Sequence, residues 1–280
     1  MKIILGDNQF FGVNHYDLSK GEKTSMKFST SKKISHFIKE SLTLGLDGFM
    51  INSNNKGYKL ISDTNFDNNI EIHYSIPYPH KYASMINENG MLSLLFFVLK
   101  NTSIFKNTLN FFKFLFTRNL IHLVAFALEI EVPSKLKKGS YIYLQNVITD
   151  LLIGMNKAEY LFKFINCVEK MGYKPGLITL NPVKLNSIFT KNPNIKISND
   201  LIVCFNINKN GFNVFPSLSS VENLISSNPN YKLMGMSIFS SGGSNILEAI
   251  NYIKKINLDY VVFGSSKLAN IKDNLDLLKK

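Results

Sequence analysis

The chain has 280 residues, 45% of them hydrophobic, and a formal net charge of +12. A chain this long buries roughly three quarters of its unfolded surface and needs no staple to fold. Its two cysteines, Cys167 and Cys204, lie far apart in apolar stretches, without CxxC or zinc spacing, and read as reduced thiols of a cytoplasmic protein. The positive charge is almost all lysine spread along the chain, with Arg118 the sole arginine. That speaks for a solvated surface and against a specific nucleic-acid reader, which relies on arginine's bidentate fork.

In chain order, short apolar runs alternate with longer amphipathic stretches, as expected for parallel strands joined by helices. Lys2 to Leu5 reads as strand 1, followed at once by Gly6-Asp7-Asn8-Gln9, so the apolar run is too short for a secretory signal. Ser31 to Leu44 is a predicted helix with Ile34, Phe37, Ile38 and Leu42 on one face. Strands 2 and 3 are predicted at Gly48 to Asn52 and Glu71 to Ile76, and strand 4 at Tyr141 to Leu144. A helix from Glu159 to Met171 stops at Gly172. Strands 5, 6 and 7 are read at Leu177 to Leu180, Leu201 to Asn206 and Lys232 to Phe239. A helix at Ser244 to Ile256, strand 8 at Tyr260 to Phe263 and a helix at Leu268 to Leu278 complete the pattern. Eight strand–helix units close a (β/α)8 TIM barrel, an α/β fold of ~250 residues, and no linker divides residues 1–280. No run of 18 uncharged apolar residues suggests a membrane span.

One stretch exceeds an idealised unit. Residues 82–132, between strands 3 and 4, carry Met91 to Leu99, then Phe111-Phe112-Lys113-Phe114, then Leu120 to Val132. The expectation is an enlarged helical insertion on the barrel, with residues 91–132 also suited to a homo-oligomer interface.

The strongest chemical signal is near the C-terminus. Strand 7 leads into Ser240-Ser241-Gly242-Gly243 and a helix, and strand 8 into Gly264-Ser265-Ser266-Lys267 and another helix. Glycine lets the backbone approach an anion, serines add donors, and a helix N-terminus adds free N–H groups and partial positive charge. Barrels commonly hold phosphate between these two loops. Ser241, Gly242, Gly243, Gly264, Ser265, Ser266 and Lys267 are therefore the candidate phosphate- or cofactor-binding residues.

These segments carry a resemblance. Met234 to Gly243, Glu248-Ala249-Ile250 and Val261 to Ser266, with Leu5-Gly6 and Gln9-Phe10-Phe11-Gly12 at the other end, resemble the aldo-keto reductases. The resemblance covers about the first 12 and last 50 residues. It implies a barrel whose late loops bind the phosphates of NADP. The family's catalytic Asp, Tyr, Lys and His do not carry over as a set. After strand 2 only Tyr58 matches and no Asp does; Lys81 comes late after strand 3; Gln145 stands where the histidine is expected. The Ser-Gly-Gly and Gly-Ser-Ser pair is also similar to class I aldolases of the deoxyribose-phosphate type, which implies a Schiff-base lysine, here Lys209 after strand 6.

Barrel active sites lie at the C-terminal strand ends, and amides gather there: Asn8, Gln9, Asn52, Gln145, Asn146, Asn181 and Asn206, suited to binding a hydroxylated substrate. Asp7, the earliest strand-end carboxylate, is the candidate base, with His80 or Lys81 as acid or electrophile. Asp7, His15, His73 and His80 have no spacing that demands a metal. The leading expectation is a barrel enzyme acting on a phosphorylated or nucleotide-linked carbohydrate-like molecule, by lyase- or isomerase-type carbonyl chemistry. The alternatives are an NADP-dependent reductase-like oxidoreductase with a rearranged catalytic set, and a non-catalytic binding or assembly barrel.

Overall fold

The computed structural model describes residues 1–11, 26–67, 69–77, 116–117 and 120–280. Eight parallel strands close into one barrel in sequence order, with β1 (Lys2–Leu5) paired to both β2 (Gly48–Asn52) and β8 (Tyr260–Phe263). Between them lie β3 (Glu71–Ile76), β4 (Tyr141–Leu144), β5 (Lys174–Ile178), β6 (Ile202–Asn206) and β7 (Lys232–Met236). The described helices are α1 (Ser31–Thr43), α2 (Asn55–Asp63), α3 (Leu123–Glu131), α4 (Asn146–Gly154), α5 (Ala158–Lys170), α6 (Pro182–Lys191), α7 (Leu218–Ser226), α8 (Ile246–Lys255) and α9 (Leu268–Lys279). None of them is long and apolar enough to cross a membrane.

Side-chain alternation sorts each strand into two cores. Ile3, Leu5, Ile51, Tyr74, Ile142 and Phe205 face outward and pack on the helices. Ile4, Met50, Tyr141, Tyr143, Cys204 and Met234 fill the barrel itself. Strands buried on both faces explain why each read as a nearly continuous apolar run. The helices are amphipathic for the same reason: α1 buries Ile34, Phe37 and Ile38, and leaves its lysines in water.

Three elements move by two residues or more at one end or both. Strand 5 begins at Lys174 and ends at Ile178, so Pro175 and Gly176, turn signals by composition, lie within it. Gly176 faces the interior, where a Cβ would stand 2.4 Å from the Tyr143 ring; the glycine is there because a tyrosine from the next strand occupies its side-chain space. Strand 7 stops at Met236, because Ser237 takes φ +58° and turns the chain. The helix after it starts at Ile246, not Ser244.

Of the insertion read over residues 82–132, the described end forms a 3-10 turn (Leu120–His122) and α3, which packs on α5. The runs at Met91 to Leu99 and Phe111 to Phe114 lie outside the described residues.

Candidate functional site

The C-terminal mouth of the barrel is organised around one carboxylate. Asp7 leaves β1 after Gly6 and is 5% exposed. Its Oδ2 accepts hydrogen bonds from the Asn52 backbone N at 2.7 Å and from Asn52 Nδ2 at 2.9 Å, and its Oδ1 accepts from the same Nδ2 at 3.0 Å. Asn52 Oδ1 in turn accepts from Gln145 Nε2 at 2.5 Å. Three strand ends, β1, β2 and β4, are thus linked by a carboxylate and two amides. Burial pushes Asp7 up from 3.8 to about 6, and the hydrogen bonds from Asn52 offset this only in part. Among the described residues no charged neighbour contributes to the shift.

The other amides of the mouth mostly serve the protein. Asn54 caps α2 through a bond from Gly57 N, and Asn181 caps α6 through one from Lys184 N. Asn206 Nδ2 donates to Asn213 O at 2.9 Å, and Asn208 closes the same loop on Phe212 through both ends of its amide. The amide-rich strand ends therefore divide into helix caps and loop ties, with Asn52 and Gln145 left facing the mouth. Asn8 is exposed, and Asn146 is half-buried in the first turn of α4. Asp150 on α4 accepts from Thr179 Oγ1 at 2.5 Å and from Leu180 N at 2.9 Å, clamping that helix to the end of β5.

Gln9 explains one glycine. Its Nε2 donates to Gly6 O at 2.6 Å, and its Oε1 lies 2.5 Å from where a Cβ on Gly264 would stand. Gly264, read as a phosphate-loop glycine, thus also gives room to a neighbouring side chain.

The two late loops differ. After β7, Asn245 caps α8 by accepting from Leu247 N and Glu248 N, and Glu248 adds a negative charge to the first turn. Ser240, Ser244 and Asn210 bond one another. The Gly242 and Gly243 N–H groups already bond Phe239 O and Ser240 O, although Gly242, at φ +94°, has open space on its side-chain face. After β8, no side chain caps α9, whose N-cap is the exposed Lys267. Ser265 and Ser266 are half-buried, and Ser265 Oγ accepts from Lys267 N and donates to Lys267 O, both at 3.3 Å. This loop leaves a helix start without a side-chain cap, beside an exposed lysine.

Several candidates lie elsewhere. Lys209 forms an ion pair with Glu248, with half of its own side chain exposed, which is not the buried setting that makes a lysine amine reactive. Tyr58 sits on α2, and burial together with the nearby Glu131 carboxylate holds its phenol above the usual range. Tyr74, an outward residue of β3, shares those neighbours, so the Tyr58 phenol belongs to the barrel's outer side. His15, His80 and Lys81 fall outside the described residues. His73 is an interior residue, stacked on Tyr141 with ring centroids 4.8 Å apart and bonded through Nδ1 to Tyr143 OH at 2.8 Å. Among the described residues no three His, Cys, Asp or Glu converge as a metal site.

The Asp7–Asn52–Gln145 link had no motif to announce it, since its members are far apart in sequence. The cap at Asn245 was legible: an asparagine directly before an apolar-periodic stretch is a helix-start signal.

No protein-family model matches the chain. No curated protein matches it either. Among solved structures the chain is similar to an aldo-keto reductase from Bacillus halodurans in its holo form, with a TM-score of 0.58 and 8% identity over 100% of this chain and 87% of that one. It is also similar to a Pseudomonas aeruginosa protein assigned to the aldo-keto reductases, with a TM-score of 0.55 and 9% identity over 99% of this chain and 88% of that one. At these identities the likeness is one of fold: an aldo-keto-reductase-like (β/α)8 barrel.

Proposed function

We propose that this barrel is an NADP-dependent oxidoreductase of the aldo-keto-reductase-like kind, with a rearranged catalytic set. The observation that carries the reading is the loop after β8, where a helix start with no side-chain cap and the exposed Lys267 leave N–H donors and positive charge for a phosphate at one side of the mouth, with Ser265 and Ser266 beside them. The full-length likeness to a reductase solved in a holo form supports it. These residues fit a dinucleotide phosphate, and the β7 loop, with its engaged serines and the acidic Glu248, fits one poorly.

Bound there, the dinucleotide supplies hydride exchange. The chain's own part is the proton. As a carboxylate, Asp7 accepts the proton of a substrate hydroxyl; as a carboxylic acid, it donates to a carbonyl oxygen. A group titrating near 6 serves either direction close to neutral pH. Asn52 and Gln145 orient it, and His80 and Lys81 remain candidates for a second polar contact.

A second reading keeps the same phosphate loop but takes a phosphorylated, carbohydrate-like compound in place of the nucleotide, with the mouth amides on its hydroxyls. A fluorescence titration with NADPH separates the two. Saturable binding, weakened about tenfold in a Ser265→Ala/Lys267→Ala variant by loss of charge-assisted bonds, supports the reductase reading. A folded wild type that binds no NADPH rejects it in favour of the sugar phosphate. Gly264→Asp is a poor probe, because its side chain would meet Gln9 before any ligand.

A further inference from the structure

The mouth contains an amide whose orientation matters more than its presence. A carboxamide has nearly the same shape either way round, so hydrogen bonds decide which end faces which neighbour. Asn52 stands between Asp7 and Gln145, with its NH2 on the Asp7 carboxylate and its oxygen taken by Gln145 Nε2. Gln145 is fixed in turn: its backbone N donates to Ile76 O at 2.9 Å, and its side chain is packed at the end of β4.

We infer that Gln145 is a positioning residue that governs the proton on Asp7 by holding the Asn52 amide with its donor end toward the carboxylate. Without a donor at position 145, Asn52 is free to turn and present its oxygen to Asp7. A carboxylate facing an amide oxygen is repelled, whereas a protonated carboxyl can donate to it. The chain of bonds thus favours the carboxylate, and its reversal favours the acid. Among the described residues, the hydrogen bonds to Asp7 come from the Asn52 backbone N and side chain, with Gln145 behind them, and no charged group contributes to its titration. Two lysines, Lys56 and Lys27, bond Phe28 O and Ser266 O.

The inference deepens the oxidoreductase reading by giving it a direction: Gln145 keeps the site set to accept a proton from a substrate alcohol at neutral pH. Its test does not require the nucleotide. In protein carrying 13C-labelled aspartate carboxyls, the Asp7 resonance is assigned by its loss in Asp7→Asn. Its titration midpoint is then followed in the wild type, Gln145→Ala, Gln145→Glu and Gln145→Lys, with melting temperatures measured alongside. The expected order has Gln145→Glu highest, since it adds an acceptor and a negative charge. Gln145→Ala follows, raised by about one pH unit over the wild type. Gln145→Lys, which retains a donor, is not raised. A residue that merely packs would lower the melting temperature and leave the midpoint in place. A midpoint unchanged in both Gln145→Ala and Gln145→Glu overturns the inference, whatever the NADPH titration shows. A shifted midpoint upholds the link even if NADPH fails to bind.

Discussion

The two ends of the barrel handle buried polarity in opposite ways. At the N-terminal end, Lys2, Glu71 and His73 form a polar string that meets the aromatic interior of Tyr141, Tyr143 and Tyr260. Burial pushes the Glu71 carboxyl up, but hydrogen bonds and charge from His73 and Lys2 outweigh it and bring it to about 2. At the C-terminal end, Asp7 is more deeply buried than the half-buried Glu71, has only amides for company among the described residues, and burial wins. A carboxylate tied to a lysine is a stability element with little freedom to change protonation. A carboxylate held only by neutral amides titrates near neutrality, which is what proton transfer requires. The difference separates the end that closes the fold from the end that can do chemistry.

The largest test of this contrast compares two glycines. Gly176→Ala forces a methyl group into the Tyr143 ring deep in the barrel, and should cost about 3 kcal/mol, read as a lowered urea midpoint. Gly264→Ala at the mouth meets only the tip of Gln9, a side chain that can move, and should cost under about 1 kcal/mol. Equal costs would mean the mouth is packed as rigidly as the interior.

The second test uses acid. Asp7 is raised when folded, so the native state binds its proton first, and this group adds stability as pH falls from about 6 toward 3.8. His73 is lowered, chiefly by burial. The unfolded chain therefore binds its proton first, and stability is lost as pH falls through 6.5. Urea midpoints should rise on acidification from pH 7 to 5 in His73→Gln and fall in Asp7→Asn. Each slope is bounded by about 1.4 kcal/mol per pH unit. Matching slopes in the two variants would dissolve the comparison. Lower still, Glu71 protects the fold above its ordinary value of 4.5, and this contribution is lost as pH falls toward about 2.

Smaller effects separate the two late loops. Asn245→Ala removes the cap of α8 and should cost about 1 kcal/mol while leaving NADPH binding unchanged. Lys209→Ala breaks an exposed ion pair and should alter stability by less than about 0.5 kcal/mol. Turnover should persist in that variant, and its abolition would restore the lysine to the chemistry.

Much of the fold was legible because barrel strands are buried on both faces and read as compact apolar runs. The predicted strands 1, 2, 3, 4 and 8 coincide with the structure. Strand 5 was misplaced because Pro175-Gly176 carries a local turn signal, and only the Tyr143 ring, brought alongside by β4, explains the glycine. At the mouth, composition gathered the amides but could not assign them. Asn54 and Asn181 became helix caps and Asn206 a loop tie, whereas Asn52 met Asp7 and Gln145.

What the sequence determined by itself was periodicity: alternation, helix faces and glycine-bearing turns set eight strands and the order in which they close. The tertiary structure decided which polar groups meet. Asp7 and Gln145 lie 138 positions apart in the chain, and no local pattern records their link through Asn52. It exists because closing the barrel sets the ends of β1, β2 and β4 around one mouth, where burial raises a carboxylate that in water would be ordinary.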